Sequence, residues 1–266
     1  MDAFTSFVHW FTFELLFSRN FLLINITLAF LNKKEEETAL SLSAAKCLAA
    51  LLARKGSRDE RRPLLGLFEP VVLSQLLHAI HTAQQHRHHT ELAKHLIRVL
   101  IGMGSLLAAL WSGDDDCKPS APQLSLFLKA LFELSIGADK CVALDALQLW
   151  NTFLAHELMR EDACVSECVA HFALMIAHSN SRLLYKQHKH EDAADEFDTE
   201  EDYAKFVHKF RGEVAKLIRQ GASLRFDTFL ANAFEWAVAV FNETNALSRI
   251  NNLYISGVNG RDCYKC

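Results

Sequence analysis

Apolar side chains recur at helical spacing along almost the whole chain, and this constrains the fold more than any other feature. In Thr199–Gln220 they fall at Tyr203, Phe206, Val207, Phe210, Val214, Leu217 and Ile218, which is one stripe of a helix. In Glu91–Trp111 they fall at Leu92, Leu96, Val99, Leu100, Met103, Leu106, Leu107 and Leu110. The same spacing runs through Glu35–Arg54, Leu64–Gln85, Gln123–Ile136, Asp139–Leu158, Asp162–Ala177 and Leu224–Phe241. No stretch alternates as a strand would. With only 10 Gly and 4 Pro in 266 residues, the turns that a many-stranded fold needs are missing. The chain is expected to be all-α.

The breaks between stripes are mostly short and polar: "LNKKEE", "RKGSRDERRP", "SGDDDCKPSAP" and "SIGAD". Short links make neighbouring helices antiparallel. Asp139–Leu158 is apolar on a wide face, with Val142, Leu144, Leu147, Leu149, Trp150, Phe153 and Leu154, as suits a helix covered on more than one side. Helix pairs recur at about forty to fifty residues, closer to HEAT-type units than to tetratricopeptide repeats. The expected fold is a HEAT-repeat-like α-solenoid of about five antiparallel pairs, stacked in a right-handed, curved array over residues 1–247. Gly102 and Gly104, inside a helix, predict close packing or a kink. Helical spacing stops near Leu247, and "SRINNLYISGVNGRDCYKC" (Ser248–Cys266) is expected to be a weakly ordered tail that completes no repeat.

Composition and motifs narrow the function. Half the residues are hydrophobic and the net charge is −4, which places the chain in a folded class and argues against coating nucleic acid through net charge alone. The N-terminal runs "FVHWFTFELLF" and "FLLINITLAFL" are each too short to span a bilayer and are expected to be buried helices. There is no GxxxxGK[ST], GxGxxG after a strand, GxSxG or HExxH, and no cofactor is expected. Seven scattered cysteines fit a reducing compartment. Cys164-x3-Cys168 and Cys263-x2-Cys266 have zinc-ligand character on paper, but helix-face and tail cysteines are the simpler reading. His78, His81, His86, His88 and His89 crowd one segment; a polar link between helices explains them without a metal.

Two charged clusters stand out. In Glu191–Asp202, "EDAADEFDTEED", eight of twelve residues are acidic. Asp198 or Thr199 can cap the helix that follows, Thr199-Glu200-Glu201-Asp202 has capping-box form, and acids in a first turn complement the helix dipole. That covers about half of them. Asp195, Glu196, Asp198, Glu200, Glu201 and Asp202 are therefore candidates to meet a basic partner surface. In Arg54–Arg62, "RKGSRDERR", the basic residues Arg54, Lys55, Arg58, Arg61 and Arg62 sit between two helices, with Gly56 as a helix stop and Pro63 as a helix start. A solvated linker is the plain reading, and a charged contact on a repeat edge the functional one.

The order of these features resembles a known family. "SAAKCLAALLARKGSRDERRPLLGLF" (Ser43–Phe68), then "LWNTFLAHELMREDA" (Leu149–Ala163), then "DEFDTEEDYAKFVHKFRGEVAKLIR" (Asp195–Arg219) are similar to the exportin-five type of karyopherin, within the importin-beta superfamily of HEAT-repeat transport receptors. The matching features begin with the Arg54-Lys55-Gly56 link and Arg61-Arg62-Pro63-Leu64 with Leu67-Phe68. Trp150 ahead of His156-Glu157 follows, then the Phe197-Asp198 acidic entrance leading to Gly212-Glu213-Val214. The resemblance runs collinearly from Leu22 to Phe241. Receptors of this family are several times longer, so the chain reads as a piece from the N-terminal half of one.

The resemblance implies a carrier and not an enzyme. Such exportins bind the Ran GTPase in its GTP form together with double-stranded RNA hairpins such as microRNA precursors. They pass nuclear pore proteins, shuttle between nucleus and cytoplasm without entering a membrane, and release cargo when GTP is hydrolysed on Ran. RNA of this class is read through shape and phosphate. On charge, Arg54, Lys55, Arg58, Arg61 and Arg62 are candidates for RNA or Ran, and Asp195–Asp202 for Ran. The alternative is a HEAT scaffold that binds protein partners only.

Overall fold

The computed structural model describes residues 38–85, 89–112, 118–137, 139–185 and 197–238. The N-terminal apolar runs, His86, His88, Asp195, Glu196 and the expected tail at Ser248–Cys266 lie outside these residues. The helices are α1 (Thr38–Ala53), α2 (Arg58–Arg61), α3 (Pro70–Gln85), α4 (Thr90–Leu110), α5 (Ala121–Ile136), α6 (Lys140–Ala155), α7 (Glu157–Arg160), α8 (Ala163–Ser179), α9 (Ser181–Tyr185) and α10 (Glu200–Leu224), with a further helix, α11, over 226–238. A 3-10 helix covers Arg62–Phe68, and no strand occurs among the described residues. The all-α expectation holds.

Short polar side chains start these helices by satisfying backbone N–H groups that have no partner inside the helix. Asp139 accepts from the backbone N–H of Val142 at 3.0 Å to begin α6. Asp162 accepts from Cys164 and Val165 at 3.0 and 3.3 Å to begin α8. Ahead of α5, the N–H of Ser120 donates to Gln123 Oε1 at 2.8 Å, the return half of a capping box.

Two boundaries differ from the sequence expectation. Leu64–Gln85 is not one helix starting at Pro63: the 3-10 segment ends at Phe68, and α3 starts at Pro70 with its axis turned by 70°. Proline disfavours the helical region for the residue before it, and Glu69 sits at φ −57°, ψ 140°. Asp139–Leu158 breaks at His156, whose backbone is extended and whose Nδ1 accepts from the N–H of Met159 at 3.3 Å.

The helices stack in two layers. One contains α3, α5 and α8 in succession, and the other α1, α4, α6 and α10. Each long helix of the first layer is paired with one of the second: α3 with α4, α5 with α6, α8 with α10. First-layer helices begin at Pro70, Ala121 and Ala163, so the pairs recur at 51 and 42 residues. This is the HEAT-like α-solenoid that the spacing implied. α11 continues the first layer: Asn232 Nδ2 donates to the Ala170 carbonyl at 3.1 Å, and the Trp236 ring lies 6.0 Å from that of His178.

The wide apolar face of α6 has its explanation here, because α6 touches α4, α5 and α10 and buries Leu147, Trp150, Phe153 and Leu154 between them. Aromatic rings carry the core from unit to unit. Phe68 meets Phe127 at 5.2 Å, Phe127 meets Phe153 at 6.4 Å, and Phe153 meets Trp150 at 6.3 Å. α4 is apolar and long enough to cross a membrane, but it is packed among α1, α3 and α6. Its two glycines serve close packing: a Cβ on Gly102 would lie 3.2 Å from Leu52 Cβ in α1, and one on Gly104 would collide with the Leu149 side chain in α6.

Candidate functional site

At the acidic entrance, Thr199 is the N-cap of α10. Its hydroxyl accepts from the Asp202 N–H at 3.1 Å and donates to the Asp202 carboxylate at 2.7 Å. Phe197 folds back onto the helix, with its ring 5.4 Å from Tyr203 and 4.9 Å from Phe206. This apolar clasp fixes the angle at which the chain enters. Lys205 pairs with Glu201 at 2.8 Å and reaches Asp202 at 3.8 Å. Local interactions therefore employ Glu201 and Asp202, while Asp198 and Glu200 are exposed with no ion pair among the described residues.

The basic link is built differently. Ser57 and Glu60 form a complete capping box around α2. The Ser57 backbone N–H and hydroxyl, at 2.7 and 2.8 Å, hold the Glu60 carboxyl below the usual range. Arg58 donates to the Leu110 carbonyl and Arg61 to the Leu52 carbonyl at 3.5 Å, so the two guanidinium groups close the C-terminal ends of α4 and α1. Lys55 and Arg62 are exposed, and Arg54 is half-buried.

The two clusters do not share a site. The second-layer helices run parallel, since Leu52 faces Gly102, Gly104 faces Leu149, and Asn151 bonds to Glu213 through Nδ2 to the carbonyl at 3.0 Å and to Oε2 at 2.6 Å. The acids lie where α10 begins, and the basic link lies where α1 and α4 end. They therefore mark opposite edges of the layer.

Between those edges lies a surface that the sequence reading did not single out. A cleft of about 580 Å³ opens where α1, α4 and α6 come together, with Leu52, Ile97, Gly102 and Val142 among its apolar lining. Lys94 and Arg98 reach it from α4, and Asp139 and Asp145 from the start of α6. Beside it, His95 is held below the ordinary imidazole range, first by burial and then by the charges of Arg98 and Lys46. Burial pushes the Asp145 carboxyl up, while Lys209 and Arg98 pull it back down. Lys46, Lys94, Arg98 and Lys209 thus bring positive charge from α1, α4 and α10 onto one face, to which the start of the intervening α6 adds the carboxyl groups of Asp139 and Asp145. Such a face can hold a polyanion, and the cleft can take an apolar group. The first and last of these residues are 163 positions apart, so no local motif joins the four; only the i, i+4 spacing of Lys94 and Arg98 marks a shared helix face.

No group of three His, Cys, Asp or Glu side chains gathers as a metal site among the described residues. His81 is hydrogen-bonded to Gln85 at 2.9 Å, within its own helix.

No protein-family model matches the chain. It is 22% identical over 244 residues to exportin-5 of Homo sapiens, which covers 89% of this chain and 20% of that protein. Exportin-5 of Mus musculus gives the same identity and coverage. The chain therefore resembles part of exportin-5 from end to end of the alignment, and spans about one fifth of the length of the curated relatives it matches.

Proposed function

We propose that this chain is part of a nuclear export receptor that binds Ran in its GTP form and double-stranded hairpin RNA, and carries the RNA past nuclear pore proteins into the cytoplasm. The observation that supports this most is the similarity to exportin-5 over 89% of the chain, on a two-layer helical stack. The basic side chains of the second-layer face fit the RNA role: Lys46, Lys94, Arg98 and Lys209 offer phosphate contacts that need no base readout, beside the acids Glu91, Asp139 and Asp145. Asp198 and Glu200, which α10 does not consume in local pairs, fit a basic surface on Ran, together with Asp195 and Glu196. The receptor performs no chemistry of its own, since GTP is hydrolysed on Ran. Retention of a hairpin RNA by a receptor carrying this chain, with GTP-loaded but not GDP-loaded Ran, tests the reading. RNA binding indifferent to the nucleotide on Ran contradicts it.

A second reading is a scaffold for protein partners alone. It is favoured by Arg58 and Arg61, which are committed to helix-end carbonyls and so lend less charge to an RNA contact at the basic link. Absence of hairpin RNA binding at low salt, with protein partners still captured, selects it.

A further inference from the structure

Two opposite charges in the cleft between α1, α4 and α6 lack a local partner. Of the hydroxyl and charged side chains that line it, Lys94 pairs with Glu91 at 3.5 Å, and Ser105 donates to the Ile101 carbonyl at 3.1 Å. Asp139 is occupied in capping α6 through the Val142 N–H at 3.0 Å. The Arg98 and Asp145 side chains make neither a hydrogen bond nor an ion pair among the described residues.

Helix register sets those two charges opposite each other. Gly104 of α4 lies against Leu149 of α6, and the two helices run parallel. Arg98 comes six residues before Gly104 and Asp145 four before Leu149, which places them roughly 9 and 6 Å back from that contact along their axes. They stand on nearly one level, on facing walls. The positive charges of Lys209 and Arg98 act on the Asp145 carboxyl without either forming an ion pair with it. Beside them the lining is apolar, with Leu52, Ile101 and Val142, and the volume of about 580 Å³ is that of a small-molecule site.

We propose that this cleft binds an α-amino acid with a large apolar side chain. The ligand carboxylate accepts from Arg98, its ammonium donates to Asp145, and its side chain lies on Leu52, Ile101 and Val142. One molecule then supplies both partners that the walls lack. A simple anion is repelled by Asp145 and a simple cation by Arg98, while an uncharged apolar molecule covers both charges and pairs neither. A nucleobase fits less well, because no aromatic ring among the described lining residues offers it a stacking surface.

The test uses the full chain and L-phenylalanine, with saturation-transfer NMR reporting binding. Cys141 also lines the cleft, so protection of its thiol from alkylation, mapped by peptide mass, reports the place. Three comparison compounds each lack one feature: N-acetylphenylalanine the ammonium, phenylalanine amide the carboxylate, and glycine the apolar body. The expected result is saturable binding of phenylalanine that protects Cys141, at least about tenfold weaker binding of the acetyl and amide compounds, and none of glycine. Arg98 and Asp145 are exposed helix positions, so their variants keep the fold. D145N should abolish the preference for phenylalanine over its acetyl derivative, and R98Q the preference over its amide. Equal binding of the three phenylalanine compounds would overturn the proposal and leave an unselective apolar cleft. Binding that does not protect Cys141, or no signal at the solubility limit, would overturn it as well.

Discussion

The Lys140 ammonium donates to Asn180 Oδ1 at 2.9 Å, tying the first turn of α6 to the C-cap of α8 across two helix pairs. Asn180 is 1% exposed, and its Nδ2 also donates to the Ser135 and Ile176 carbonyls at 3.0 and 2.8 Å. Ser135 in turn accepts from Trp150 Nε1 at 3.2 Å. One asparagine thus joins α5, α6 and α8. N180A strands the Ser135 carbonyl and leaves the Lys140 ammonium only its bond to the Gly137 carbonyl, and the expected loss is about 2–3 kcal/mol in denaturant unfolding. A loss below about 0.5 kcal/mol, typical of a surface site, would refute the joint.

Gly104 and Gly212 predict opposite signs for one substitution. A methyl group at Gly104 meets the Leu149 side chain, whereas a Cβ at Gly212 finds nothing within 4 Å. G104A should destabilise by about 1–3 kcal/mol through overpacking. G212A should stabilise by about 1 kcal/mol, the helix preference of alanine over glycine. Thermal melts of the two variants check the pair, and equal effects would show that α4 and α6 do not approach as closely as described.

Burial pushes the Cys47 thiol from 9.0 to about 11. A thiol whose value rises on folding contributes stability that is fully present below the unfolded value and is lost as pH climbs through the folded one. Wild type should therefore lose stability between pH 9 and about 11 relative to C47A. A difference between the two proteins that stays constant across that window would refute a buried neutral thiol.

At the acidic entrance, capping and partner binding separate by residue. T199A removes the cap on the Asp202 N–H and should cost about 1 kcal/mol. D198N with E200Q should leave stability within about 0.5 kcal/mol. In a receptor carrying this chain, the double variant should slow Ran association, most clearly at low salt. Unchanged association at low salt would leave these acids a purely local role.

Much of the fold could be read from periodicity because burial in a helix follows its stripe. Tyr203, Phe206, Phe210, Val214 and Leu217, named from spacing, are the side chains α10 buries. The wide face of α6 announced packing on more than one side, though not which helices would supply it. Boundaries read less well where backbone chemistry overrode the stripe, as at Glu69 before Pro70 and at His156. The charged sites were half legible. Local rules narrowed the cap to Asp198 or Thr199, and the structure uses Thr199, but nothing local showed that Arg58 and Arg61 reach the carbonyls of Leu110 and Leu52. The face shared by Lys46, Lys94, Arg98 and Lys209 exists only once the second layer has stacked.

The most direct test of the RNA-carrier account is the salt dependence of hairpin RNA binding by the full chain, with and without Lys46, Lys94, Arg98 and Lys209 changed to glutamine. Each phosphate contact contributes roughly 0.7–0.9 to the slope of log affinity against log salt. The account predicts that the fourfold variant lowers the slope by roughly 3 and weakens binding alike for hairpins of unrelated sequence. An unchanged slope, with the variant folded, would contradict it.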